Sequence, residues 1–413
     1  MLFTPPRFGP AMMLLMAIAL TACVTAHDTN ARDWVVERSQ VGDTLVVRTV
    51  SGSVWGRPML LVEELSIGVL DGPDELMFGR VHAITVDRDQ GIYAFDGQVP
   101  ALRYFDANGQ YVKTVGGEGS GPGEYRDMLL GLDVRSDGQV IVRDPRNARL
   151  SLYSSDGNPQ ESWIVSSGLY ASQAMALDDS DHIYLKILSG PIEPNRPWSM
   201  AVLHLDASGE LVDTISPPQM DGEPSTGGGL FSAEKVWGIS RRGSMVAGVS
   251  SRYSFDVYTR GGQVVRIERD RDAVTFAAEE RNAQEARREW QTRTRGQFMT
   301  SALPPTPDVK PAYRDLSFGR DGRIWVRLHS VAVKGEVELE SIGEDQPPPL
   351  TWREPLVFDV FEEDGTYLGE VRTPQRTSFS VFDGDKAWGI RTGEMGEQYV
   401  VRSRLEPVEK VDR

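Results

Sequence analysis

Asp87-Arg-Asp-Gln-Gly-Ile-Tyr-Ala-Phe-Asp96 overlays Arg135-Ser-Asp-Gly-Gln-Val-Ile-Val-Arg-Asp144 without a gap, at an offset of 135 − 87 = 48. Ala101-Leu-Arg-Tyr-Phe-Asp-Ala-Asn-Gly109 overlays Arg149-Leu-Ser-Leu-Tyr-Ser-Ser-Asp-Gly157 at the same offset. A period of about 40 to 50 residues holding several short, turn-bounded strands is the mark of a propeller blade. Such a unit cannot bury its apolar faces alone, so it must stack on copies of itself around an axis. The chain is therefore expected to be all-β, each unit contributing strands a to d from the axis outward.

Unit one predicts strands at 81–86, 92–95, 102–105 and 111–115, and unit two follows 48 residues on. Later units begin at Gln173, Lys235, Tyr313 and Thr377, and the sixth runs out of chain before its fourth strand. Leu65-Ser-Ile-Gly68 followed by Gly72-Pro73 parallels strand d of unit one, which closes with Val115-Gly116 before Gly121-Pro122. An N-terminal strand of that kind would complete unit six and leave no open edge, giving six blades. A further strand at 44–50 has no place assigned by the repeats. Along the inner strands, Ile84, Leu132, Met175, Trp237, Leu316 and Phe379 alternate with mostly small residues, as blades crowded near an axis require.

The turns divide the ring into two faces. Connections a to b and c to d are tight and rich in Asp, Asn and Gly, as in Ser136-Asp-Gly138 and Asp106-Ala-Asn-Gly109, where Gly takes positive φ. Every long connection is b to c or d to a. In a four-strand meander those two classes emerge at one end, so one face is trimmed and the other elaborated. Residues 275–297 have helix-forming composition with Glu-to-Arg pairs at i, i+3 and i, i+4, predicting a helical insertion between blades four and five. Gln346-Pro-Pro-Pro349 marks a second insertion, in blade five.

Ahead of the repeats, Arg7 precedes the apolar run Ala11 to Leu20, too short for a permanent membrane span. Leu20-Thr21-Ala22-Cys23 resembles the bacterial lipoprotein signal, and Cys23 is the sole cysteine of the 413 residues. A disulfide would need a partner, so Cys23 is expected to be lipidated, with 1–23 as signal peptide, 24–43 as tether and 44–413 as propeller. Val24 beside it resembles the pattern sorted to an outer membrane. A formal net charge of −16 argues against a nucleic-acid partner.

Gly116-Gly-Glu-Gly-Ser-Gly-Pro-Gly-Glu-Tyr125 lacks the Lys-Ser/Thr of a phosphate loop and leads into a strand, not a helix, so an inter-blade turn is expected. The histidines have no zinc spacing, the Asp-rich turns lack the downstream Glu of a calcium loop, and no Gly-x-Ser-x-Gly is present. No cofactor is expected. Near the start of each strand a stand His82, Leu130, Gln173, Lys235, Arg314 and Thr377, which should ring the axial mouth on the elaborated face. The ligand-binding candidates are His82, Gln173, Lys235 and Arg314, a ring suited to an anion, a carboxylate or a glycan. Tyr125, Trp198, Trp290 and Trp352 join them from the long loops, as types suited to protein or sugar contacts.

At Gly79-Arg-Val-His-Ala-Ile-Thr-Val-Asp87, Ile92-Tyr-Ala-Phe-Asp96 and Gly119-Ser-Gly-Pro-Gly-Glu-Tyr125 the chain resembles bacterial six-bladed NHL-like or TolB-like propeller lipoproteins. The resemblance implies fold and envelope location, since such proteins mostly have no assigned activity. Two readings follow. One is a non-enzymatic scaffold binding a protein, peptide or glycan on the elaborated face. The other is a lactonase-like, metal-dependent propeller hydrolase or lyase, with an axial metal on carboxylates such as Asp133 or Asp315.

Overall fold

The computed structural model describes residues 34–126, 130–165, 175–191, 198–224, 231–294, 306–335, 348 and 351–408. Blades one to three are four-stranded antiparallel sheets whose strands pair in chain order. In blade one, Val81–Val86, Ile92–Asp96, Ala101–Phe105 and Tyr111–Val115 run from the inside outward. Blade four begins with Lys235–Ile239 and ends with Val264–Arg269, and blade five begins with Tyr313–Phe318 and ends with Tyr367–Arg372. Blade six contributes Thr377–Asp383, Lys386–Thr392 and Gln398–Pro407. Its innermost strand lies beside Val81–Val86, so the last blade meets the first.

The fourth strand of blade six is Met59–Ile67, antiparallel to Gln398–Pro407 with Ile67 opposite Val400 and Leu61 opposite Leu405. This is the closure predicted from the Leu65-Gly68 motif. The strand also pairs in parallel with blade five, Val371 to Met59 and Arg372 to Leu60, which fuses blades five and six into one eight-stranded sheet.

The N-terminal segment departs from expectation. Val35–Val41, inside the segment read as tether, is a strand, and it forms a hairpin with Thr44–Ser51. Thr44–Ser51 adds in parallel to Val264–Arg269, so blade four carries six strands. Val47 is buried there against Val265 and Ile267, and that burial is what holds the hairpin on the blade. The signal peptide and Cys23 lie outside the described residues.

Asp96 and Asp144, equivalent in the repeat, show what the shared spacing does. Asp96 accepts from the backbone N–H of Gly79 and Arg80, at 2.7 and 2.9 Å, and Asp144 from that of Arg126 at 2.8 Å. Each carboxylate ties the end of strand b to the loop entering strand a, satisfying amides that the meander leaves unpaired. The turns from c to d rest on the preceding blade. Gly109 faces Leu65 of the N-terminal strand, continuing around the ring the contact that Gly209 makes with Trp163 of blade two. Gly209 has φ 84 and a Cβ there would sit 2.5 Å from the Trp163 ring. Gly209→Ala therefore combines left-handed strain with overpacking, and we expect a loss of about 2–4 kcal/mol in chemical denaturation.

Helix α1, Ala278–Thr294, occupies the connection from blade four to blade five as predicted. Its docking is ionic. Lys310, its side chain fully buried, lies 2.6 Å from Glu280 of α1 and 2.7 Å from Glu354, and its ammonium sits over the rings of Phe231 and Phe276.

Candidate functional site

On the elaborated face, where the inner strands of blades four and five begin, a cavity of about 570 Å³ is lined by Lys186, Lys235, Trp237, Arg314, Arg327 and His329. Lys235 and Arg314 were expected at this mouth, and the fold brings them together. Lys235 pairs with Glu223 at 2.6 Å. Lys186 comes from strand b of blade three and holds its ammonium 4.4 Å from the Trp237 ring centre. Among the described residues, Lys186, Arg314 and Arg327 have no ion-pair partner within 4.0 Å. Asp315, also on the cavity wall, accepts from the Leu316 N–H at 2.8 Å.

The electrostatics follow from that imbalance. Burial pushes the Lys186 ammonium below its ordinary value, and Asp315 offsets only part of the effect. Burial, then repulsion from Arg314, pushes the Arg327 guanidinium down as well. Arg143, from the same strand position in blade two, is driven down to about 10 by burial, and it donates to the Lys186 carbonyl at 3.1 Å. Around Lys186, Arg314 and Arg327 the nearby carboxylates, Asp315 first among them, offset the repulsion only in part, and an incoming anion would relieve the remainder.

His329 and Phe231 complete the wall. The His329 ring bonds through Nδ1 to Glu354 at 2.9 Å. Burial alone would raise the Glu354 carboxyl, but hydrogen bonds from His329 and Lys310 outweigh it and hold the group below its ordinary value. Phe231 has φ 58, a strained conformation for a bulky side chain, and its ring packs on Phe276 and His329. Strain of this kind is stored where a surface must be shaped.

The other expected residues are dispersed. His82 begins the inner strand of blade one, half-buried, its imidazole pushed down by burial and by Arg80. It does not line the cavity. Tyr125 is no surface contact: it is buried, its oxygen accepts from the Leu102 N–H at 2.8 Å, and its ring meets Phe95 edge-on. Its apolar ring is drawn into the seam between blades one and two, where the hydroxyl finds backbone partners. Trp198 is 55% exposed on a loop of blade three. Trp290 is half-buried on α1, and Trp352 lies in a short ribbon, Trp352–Arg353 against Val333–Lys334. Gln173 lies outside the described residues.

The glycine-rich turn is structural. Arg149 donates to the carbonyls of Ser120 and Gly121, at 3.1 and 2.7 Å, and Glu124 takes the Gly121 N–H at 2.6 Å. At the opposite, trimmed end, Asp133 accepts from the Arg241 guanidinium through both oxygens at 2.7 Å, with Arg320 at 3.7 Å. The carboxylate nominated for a metal is thus engaged by arginines from across the ring, and Asp315 stands among cations. Among the described residues, no three His, Cys, Asp or Glu side chains converge as metal ligands.

Lys186 and Arg327 were not foreseen, although the sequence carries a trace of them. The fourth residue of each b strand reads Phe95, Arg143, Lys186, Gly248, Arg327 and Gly389, so a lone cation recurs inside otherwise apolar runs in three of the six blades.

Residues 65–220 match the sequence profile of a family described as 6-bladed beta-propeller. No curated protein matches the sequence significantly. Among solved structures, the chain is similar to a protein of Bacteroides fragilis described as exported, at 9% identity over 88% of this chain and 100% of that one, with TM-score 0.46. A member of the duf4221 family from Bacteroides vulgatus is 12% identical over 85% and 99%, with TM-score 0.48. Virginiamycin B lyase from Staphylococcus aureus is 11% identical over 84% and 94%, with TM-score 0.39. The described strands and the family matched over residues 65–220 agree on the architecture: the chain folds as a six-bladed β-propeller.

Proposed function

We propose that this protein is an envelope-anchored, non-catalytic propeller that binds its ligand through an anionic group, a carboxylate or phosphate, held in the cavity on the elaborated face. The observation that carries this reading is the convergence of Lys186, Arg314 and Arg327 on one cavity with no ion-pair partner among the described residues. In a chain of net charge −16, unpaired cations cost solvation free energy that packing does not return. Arginine's planar fork matches carboxylate and phosphate oxygens in pairs, and Lys186 supplies a point charge beside them. Anchoring at Cys23 would hold the protein on an envelope membrane.

The test is calorimetric titration of the full chain with inorganic phosphate, citrate and an acidic peptide. At least one should bind, and Arg327→Met should weaken it by about 10- to 100-fold, the value of one charge-assisted contact. No binding by any of them, or unchanged affinity in the variant, would remove this reading.

One observation favours a hydrolase or lyase as the second reading. His329 lines the same cavity with Nδ1 bonded to Glu354, the arrangement that orients the other ring nitrogen as a base. Turnover of an ester or lactone by the full chain, lost in His329→Gln while anion binding persists, would favour it.

A further inference from the structure

We propose that the elaborated face is seated against the phospholipid surface to which the chain is tethered, and that the anion its cavity takes is the phosphate of a lipid headgroup. This rests on the anion cavity proposed above and on acylation at Cys23. Three observations converge on it.

The first is where the chain joins the ring. Val264–Arg269 runs toward the elaborated face, since the α1 connection follows it; Thr44–Ser51 is parallel to it, and Val35–Val41 returns antiparallel. Val35 therefore lies opposite Ser51 at the elaborated end, and Trp34 is pinned there by a 3.3 Å hydrogen bond to Thr49. Only residues 24–33 separate Cys23 from Trp34, a reach of roughly 35–40 Å fully extended. The face on which the tether arrives is the one held nearest the lipid.

The second is the character of that face. Leu70, Val99, Trp198, Val331, Val333 and Met395 are exposed, and each lies in a b-to-c or d-to-a connection. Other exposed apolar residues, such as Val112 and Leu211, belong to outermost strands. Scattered apolar tips at one end of a ring suit shallow insertion at the headgroup boundary, where a Trp is especially at home.

The third is the cavity. It opens on this same face, so a headgroup phosphate seated there would meet its cations. The net negative charge opposes long-range attraction to anionic lipid, so contact depends on the tether and the tips.

The experiment uses the full, acylated chain in vesicles of phosphatidylethanolamine and phosphatidylglycerol. Cysteine is introduced singly at Val331, Met395 or, on the trimmed face, Asp156, and labelled with a polarity-sensitive fluorophore, Cys23 being blocked by its acyl chain. The probes at Val331 and Met395 should shift to the blue and be quenched by brominated acyl chains, and the probe at Asp156 should remain in water. Val331→Asp with Met395→Asp should abolish quenching at a probe placed on Val99 while phosphate titration stays unchanged. Equal, water-like signals at all three positions overturn the seating. If the blue shifts appear with phosphate binding intact but Arg327→Met does not change headgroup binding to the vesicles, the assignment of the anion to lipid falls and the anion cavity survives.

Discussion

Replacing Asp359 with Asn is expected to lower stability by about 3–5 kcal/mol, the usual consequence of leaving a buried cation without its counter-charge. Asp359 is 0% exposed. It accepts hydrogen bonds from Tyr367, at 2.6 Å, and from Tyr253, and it pairs with Arg269, whose guanidinium lies 4.4 Å from the Tyr367 ring centre. These residues come from two blades: Tyr253 and Arg269 from the fourth, Asp359 and Tyr367 from the fifth. Burial and the nearby carboxylate push both phenols above their ordinary range, so they stay protonated as donors in neutral solution. Asparagine can still accept from the tyrosines but leaves Arg269 charged and unpaired. Chemical denaturation should show a lower midpoint with the slope preserved. The double change Asp359→Asn with Arg269→Met should recover part of the loss, because it removes both charges while the amide oxygen still accepts from the tyrosines. An unaltered midpoint in Asp359→Asn would mean that this seam is held by packing alone.

The second large effect is expected at Lys310. Lys310→Met leaves Glu280 and Glu354 facing each other without a cation, at a cost of about 3–5 kcal/mol for a broken buried pair. Most of it should appear as release of α1, since Glu280 is the helix's buried anchor, whereas other ties, such as Arg281 to the carbonyls of Thr306, Pro307 and Asp308 at 3.3, 2.9 and 3.2 Å and Glu279 to Lys334, lie nearer solvent. Hydrogen exchange of residues 278–294 is the measurement, with deprotection confined to that segment expected. Acid should act on the same contact in the native protein. The Glu354 carboxyl is held below its ordinary value of 4.5, so its pairing is fully stabilising above that pH and is lost as pH falls through the lower folded value. Helix protection that is indifferent to pH down to the acid limit of the fold would contradict the assignment.

The architecture was legible because repetition speaks through many positions at once. The pairing of Asp96 with Asp144, the turn glycines, and the likeness of Leu65-Gly68 to a strand d each pointed to a closed ring, and the described strands follow them. The strand at Thr44–Ser51 was legible, but its place on blade four and its partner Val35–Val41 were not, since a strand added outside a finished sheet obeys no repeat and needs only an apolar stripe such as Leu45, Val47 and the neighbouring blade edge. The site was half legible. Lys235 and Arg314 announced themselves by their place at the start of inner strands. Lys186 and Arg327 were hidden by the apolar residues around them, and Tyr125 misled because an aromatic in a glycine-rich loop reads as exposed until the blade it packs on is known.

The strand shared by blades five and six has a bearing on biogenesis. Met59–Ile67 is made well ahead of its partner Gln398–Pro407, at a sequence separation of 398 − 67 = 331. A chain arriving in order must keep this edge unmated until blade six is made, and contacts so distant in sequence form slowly. The clasp therefore ties assembly of the native ring to arrival of blade six, and a product stopped before it would carry a bare, adhesive margin open to proteolysis or to a holding chaperone.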